Sequence, residues 1–247
     1  LGQGKDISYS FGQFQYYRND YDNDSFSTNV DINDITKTLQ VASLAFKSKT
    51  AEMFRLFSNV SLLTFSEVTE TASANGNIRI AVYEPTLGYY YNTGGYNDYY
   101  VGTSSSDENG VISTRLTNSS FANFPWADNY NTGDIFFSGS DFNNTSNLDN
   151  NPYYSDTILH EIGHSLGLSH PHDTIGNYSG DLANVTKPDT VMAYAAYDGD
   201  GIGGLADVSY SRPTTLMTFD IEAIQYLYGV NEQHETGDNI YQLSSFS

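Results

Sequence analysis

The residues best suited to chemistry lie in one stretch, His160-Glu161-Ile162-Gly163-His164-Ser165-Leu166-Gly167-Leu168-Ser169-His170. Two histidines four apart on a helix lie on one face, one turn apart, so both imidazoles can reach a single ion. Neutral imidazole suits zinc, which takes about four ligands and keeps one position open at a catalytic centre. Glu161 follows the first histidine and so places a carboxylate beside that open position. There it can take a proton from a water on the metal and later deliver it to a leaving amine. A continued helix would carry His170 off the shared face. Gly167 resolves this, because a glycine with positive φ permits a sharp turn that brings His170 back as third ligand. His160, His164 and His170 are therefore the expected zinc ligands, with Glu161 as base. The chain has five histidines, and three of them occupy these places. His172 competes for the third place, but its spacing departs from the pattern and Pro171 constrains the chain there. A buried helix with hydrogen-bonded core histidines is the bland alternative. It leaves Gly167 and His170 without a reason.

Val191-Met192-Ala193-Tyr194 stands further along, with Met192 twenty-eight residues after His164. A Met beside a Tyr is most often one core and one surface residue. Here the pair matches the Met-turn that underlies metal sites of this kind. Met192 would form an apolar floor beneath the imidazoles without ligating, and Tyr194 could bring its phenol to the metal or to an oxyanion. Asp198-Gly199-Asp200-Gly201 could wrap calcium through Asp198 and Asp200, since closely spaced carboxylates supply oxygen ligands. The loop lacks a glutamate at the twelfth position, and an acidic solvated loop is the commoner outcome.

Several elements must position these groups. Ile7 to Phe11 alternates and reads as a strand, as do Leu62 to Val68 and Ile78 to Tyr83, the last two separated by Asn75-Gly76-Asn77. Apolar residues from Ile32 through Leu39 to Phe46, continuing to Phe57, predict one long helix capped by Asp31 or Asn33. Gly88 to Asn109, rich in Tyr, Gly, Asn and Ser, reads as a long surface loop. Asp134 to Phe137 is a further strand. A helix is predicted from Tyr154 to Leu166, capped by Ser155 or Asp156 and ended at Gly167, and a last helix from Thr218 to Tyr228, ended by Gly229.

Composition limits the remaining options. At 247 residues the chain suits one large domain or two modest ones. Aromatic residues make up 15%, which argues for a folded core. A formal net charge of −20 disfavours nucleic acid and anionic membranes as partners. There is no Cys, which excludes thiol nucleophiles and redox motifs and fits a bacterial exported protein or a cytosolic one. No run approaches the ~20 apolar residues of a membrane span. Leu1 to Ser10 lacks the features of an export signal, and the chain does not begin with Met, so a mature or trimmed form is expected.

Taken together, these stretches resemble the serralysin family, a bacterial secreted branch of the metzincin zinc peptidases. Tyr154 to Pro171 looks like that family's zinc helix and turn. Asp220-Ile-Glu-Ala-Ile-Gln-Tyr-Leu-Tyr-Gly229 looks like its C-terminal helix, and Thr236 to Tyr241 resembles the approach to its calcium-binding β-roll. The resemblance implies an α+β metzincin fold. A twisted mixed sheet with long helices would form an upper subdomain (about 1–167) over a smaller irregular lower one (about 168–235), with zinc in the cleft between. Residues 236–247 would begin a truncated or missing β-roll. It also implies a secreted zinc endopeptidase with Glu161 as base and Tyr194 as a switching fifth ligand. Asp134, Ile135, Phe136 and Phe137 would be the edge strand that pairs with an extended polypeptide substrate. A propeptide or protein inhibitor would be a further partner, and a monomer is expected. The chain departs from the family in having His172 where Gly is usual and Ala193 where Ser is usual. It also lacks Gly-Gly-x-Gly-x-Asp repeats. The rival expectation is a catalytically inactive metzincin-fold binding module of a larger surface or exported protein.

Overall fold

A computed structural model of the chain describes residues 2–12, 39–71, 73–83, 90–93, 96–99, 120–125, 133–175, 178–179, 185–195 and 212–237. In chain order the elements are β1 (Lys5–Phe11), β2 (Leu39–Gln40), α1 (Leu44–Val60), β3 (Leu63–Glu67), β4 (Ile78–Tyr83), β5 (Tyr90–Thr93), β6 (Tyr96–Tyr99), β7 (Phe121–Ala122) and β8 (Ile135–Ser138). A 3₁₀ turn (Ser140–Asn143) then leads to α2 (Thr145–Asn150), α3 (Pro152–Ser165), the short strands β9 (Thr174–Ile175) and β10 (Tyr178–Ser179), and α4 (Thr218–Tyr228). The fold is α+β around one mixed sheet in the order β3-β1-β4-β8-β7, with β2 also paired to β4. The pairs β1/β3, β1/β4 and β4/β8 are parallel, whereas β7 runs antiparallel to β8 and β2 antiparallel to β4.

The strand β4, Ile-Arg-Ile-Ala-Val-Tyr, is buried at every position, as its central place requires. Arg79 is carried inside with it and is paired there with Glu70, Nε to Oε1 at 2.7 Å. The helix α1 turns Phe46, Thr50, Met53, Phe54 and Phe57 inward at helical spacing. Phe54 stacks on Tyr9 of β1, and Phe46 meets Phe137 of β8 edge-on at 5.2 Å. Phe142 joins that cluster to Tyr154 of α3. A single apolar core runs from β1 through α1 and α3 to Met192 and Ile224. The zinc-motif helix is thus braced from behind by the sheet and α1. Among the described residues no helix is long and apolar enough to cross a membrane.

Several sequence expectations are corrected. Leu39 is in β2, paired with Tyr83, and not in the long helix, which begins only at Leu44. Two contacts set the start: Ser43 Oγ accepts from Phe46 N, and Asn143 Oδ1, a hundred residues away, accepts from Ser43 N, so the chain is capped and pinned at this point. Asp31 and Asn33 lie outside the described residues. The zinc-motif helix starts at Pro152 with Asn151 as cap, its Oδ1 accepting from Tyr153 N. Proline at the first helical position loses no hydrogen bond, so the helix extends past Ser155 and Asp156. Within the expected loop Gly88 to Asn109, β5 and β6 form an antiparallel pair.

The edge-strand expectation is also overturned. Ile135, Phe136 and Phe137 are buried, with β4 on one side of β8 and β7 on the other. Asp134 precedes the strand; its Oδ1 accepts from Arg79 N and its carbonyl from Asn123 N. Among the described residues the two-residue strand Phe121–Ala122 takes the end of the sheet, and a strand that short carries no periodic signal.

Phe46→Ala should lower stability by about 3–5 kcal/mol in urea unfolding, because a fully buried ring is removed from an aromatic cluster. Leu44→Ala, at a position 83% exposed, should change it by no more than about 0.5 kcal/mol.

Candidate metal centre

The helix α3 brings His160 and His164 to one face, both buried. It ends in a Schellman turn: Leu168 N donates to Gly163 O, and Gly167 N to His164 O, each at 2.9 Å. Gly167 has φ +101°, the left-handed region where a side chain is strained. The chain reverses there and returns His170 to the helix. The three Nε2 atoms come within 3.0–3.2 Å of one another.

The other ring nitrogens define what those Nε2 atoms are. His160 Nδ1 lies 2.8 Å from Val191 O, His164 Nδ1 2.7 Å from Leu168 O, and His170 Nδ1 2.9 Å from Asp173 Oδ2. Carbonyl and carboxylate oxygens can only accept, so each Nδ1 carries the proton. A second proton on Nε2 would make a buried imidazolium. Burial lowers all three pKa values, His164 to about 4, and each ring's neighbouring imidazoles push the same way. Three Nε2 lone pairs therefore point at one another at a distance where they repel. A cation among them converts the repulsion into ligation, and three neutral imidazoles suit zinc. The donor set fits zinc.

Glu161 is buried, and its Oε2 has no hydrogen-bond partner among the described residues. Desolvation raises its pKa to about 8, opposed by the charge of Lys187. A buried carboxyl of that proton affinity, next to His160 in the chain, is equipped to accept and return a proton near neutral pH.

Met192 is buried under α3. A Cβ on Gly163 would lie 2.6 Å from the Met192 sulfur, so the absence of a side chain at 163 lets the thioether pack directly on the helix that carries His160 and His164. Tyr194 packs its ring against His160 (5.8 Å), His170 (4.6 Å) and His172 (4.9 Å). Burial, then the Glu161 charge, raises the pKa of its phenol, so it stays a neutral donor. His172 stacks on His170 at 5.0 Å and so stands beside the cluster and not in it. Phe124, just beyond β7, meets His164 edge-on at 5.3 Å.

Sequence reasoning missed the partners that hold these groups. Asp173 orients His170 through both its ring and its backbone N. Asp220 is buried and accepts from Thr190 Oγ1, Val191 N and Met217 N, tying the start of α4 to the Met192 turn. An aspartate three residues after a histidine was a readable signal for Asp173. Nothing in the sequence links Asp220 to residues thirty positions earlier. Asp134 to Phe137 lies between β4 and β7 in the sheet, and Asp198 and Asp200 lie outside the described residues.

A model of the matrixin peptidase family matches residues 25–179, more than half of the chain. Serralysin of Proteus mirabilis is 38% identical over 122 residues, covering 46% of this chain and 24% of that protein. Serralysin A of Dickeya chrysanthemi is 35% identical over 103 residues, covering 41% and 21%. Metalloprotease AprA of Pseudomonas entomophila is 38% identical over 104 residues, covering 38% and 20%. The chain therefore spans less than a quarter of the length of these relatives.

The proton affinities make a prediction for the chain stripped of metal by a chelator. The histidines have lowered folded pKa values, so their stability contribution is lost as pH falls below about 6.5. Glu161 has the opposite sign: its contribution is present below 4.5 and is lost as pH rises to about 8. Three groups oppose one between these limits, so urea-unfolding stability should peak near about pH 6.5 and fall toward about pH 8. Glu161→Gln should remove the fall on the alkaline side. An alkaline limb as steep in the variant as in the parent would contradict the assignment.

Proposed function

The chain belongs to the matrixin peptidase family, and from that premise we propose that it is a zinc-dependent endopeptidase, exported from a bacterial cell, acting on extended polypeptides. The observation that carries the reading is the convergence of three Nε2 lone pairs on one point, on a helix that also carries the buried carboxyl of Glu161 next to His160 in the chain. His160, His164 and His170 would hold the zinc, which supplies Lewis acidity toward the attacking water and the scissile carbonyl. Glu161 takes the proton from that water and returns it to the departing amine, so the base of the first step is the acid of the second. Tyr194 offers a phenolic proton to the oxyanion. Met192 supports the three rings from below and touches no reacting atom.

The substrate strand is assigned to β7, the last strand of the sheet among the described residues and next to Phe124. Its outer backbone groups would pair with an extended peptide, the usual way a sheet edge takes up a chain. Residues 1–235 are read as the catalytic domain, divided near Gly167, where the chain leaves the zinc helix.

Glu161→Gln is the deciding variant, assayed with the parent for casein hydrolysis and zinc content. Hydrolysis should fall by about 10²–10⁴-fold with zinc unchanged at about one per chain. Zinc in both proteins with hydrolysis in neither would replace this reading with that of an inactive binding module.

A further inference from the structure

The cluster Asp156, Lys187 and Arg212 is buried close to the metal centre and is unused by the chemistry above. Asp156 lies one turn ahead of His160 on α3 and is almost wholly buried. Lys187 Nζ sits 2.8 Å from its Oδ1, and Arg212 Nη1 2.7 Å from its Oδ2. One carboxylate thus contacts two cations, and the buried Asp220 acts on Lys187 as well. A buried ammonium is costly unless its hydrogen bonds are all used, and one of those bonds leads to the metal centre. Lys187 Nζ also donates to Val191 O at 2.9 Å, the oxygen that accepts from His160 Nδ1 at 2.8 Å.

We propose that Lys187 is a positioning residue for the metal centre, fixing the Val191 carbonyl that in turn orients the His160 ring. A carbonyl oxygen has two lone pairs. With the ammonium on one, the other is directed at His160. The Val191 peptide is clamped on its opposite side as well, its N–H donating to Asp220 Oδ2 at 2.9 Å. The lysine's own backbone closes the same turn, Lys187 N donating to Ala195 O at 2.9 Å. Its side chain spans from the turn to α3, so that Met192 and His160 are registered to each other by one cation. Outer partners of this kind hold a metal-binding imidazole in the ligating tautomer and direction. The inference rests on the reading of His160 as a metal ligand.

The test measures zinc affinity of the full chain by competition with a chromophoric chelator, together with the visible spectrum of the Co(II)-loaded form. Lys187→Met leaves Asp156 neutralised by Arg212. It should bind zinc about 10–100-fold more weakly, with a changed Co(II) spectrum, in protein whose near-ultraviolet dichroism is that of the parent. Lys187→Gln, whose amide can still donate to Val191 O, should recover part of the loss. Zinc affinity within about twofold of the parent and an unchanged Co(II) spectrum in folded Lys187→Met would overturn the proposal, as would tighter binding. If Lys187→Met does not fold, Lys187→Gln decides on the same two readouts: weaker binding supports the proposal and parity overturns it. Neither readout uses peptide hydrolysis. A parent that binds zinc and cleaves nothing defeats the peptidase reading and leaves this one standing, whereas a parent that binds no zinc defeats both.

Discussion

Three imidazole nitrogens with their lone pairs turned inward at 3.0–3.2 Å do not attract one another. The arrangement persists only because each ring is held from its far side, by Val191 O, Leu168 O or Asp173. This requirement explains much of the surrounding architecture. Leu168 and Asp173 lie in the stretch that follows α3 directly, whereas Val191 comes from a distant segment that must be held in register with the helix. The core behind α3 and the hydrogen-bonded turns in front of it serve that register.

The anchors differ in how local they are. Leu168 belongs to the Schellman turn that ends the helix, so the same backbone geometry that stops α3 also fixes His164. Asp173 is three residues from His170 and works within one turn. Val191 is thirty-one residues from His160, and its placement depends on Asp220 at the start of α4. A change at α4 would therefore reach the metal centre through a single peptide unit. Gly163 completes this linkage from the helix side, because Met192 occupies the space its side chain would need.

Burial sets the proton chemistry of the site in two directions at once. It keeps the imidazoles neutral and available as ligands, and it raises the proton affinity of Glu161 to a range suited to exchange near neutrality. The chain is strongly acidic, yet two cations, Lys187 and Arg212, meet at the buried Asp156, one turn ahead of His160 on α3. The surface charge says nothing of this interior balance.

The local parts of the site were legible in the sequence because they depend on helical periodicity and on one glycine. His160, His164, Gly167 and His170 lie within eleven residues, and an i, i+4 pair followed by a positive-φ stop has one three-dimensional meaning. The α+β class and the last helix were readable for the same reason, since repeating apolar faces and capping residues act over a few turns. Other features were decided only by tertiary structure. Which strand ends the sheet depended on a two-residue strand, Phe121–Ala122, too short to show any alternation. Where α1 and α3 begin was set by Ser43 and Asn151, the first of them pinned by Asn143, a hundred residues away. The second layer of Asp220, Lys187, Asp156 and Arg212 joins residues between 29 and 56 positions apart, and buried charges announce their partners only once the chain has brought them together. Sequence determined which three histidines converge, because their convergence here is a local geometry. Tertiary structure decided what holds them, because the hydrogen-bond acceptors came from wherever the fold placed a carbonyl or a carboxylate within reach.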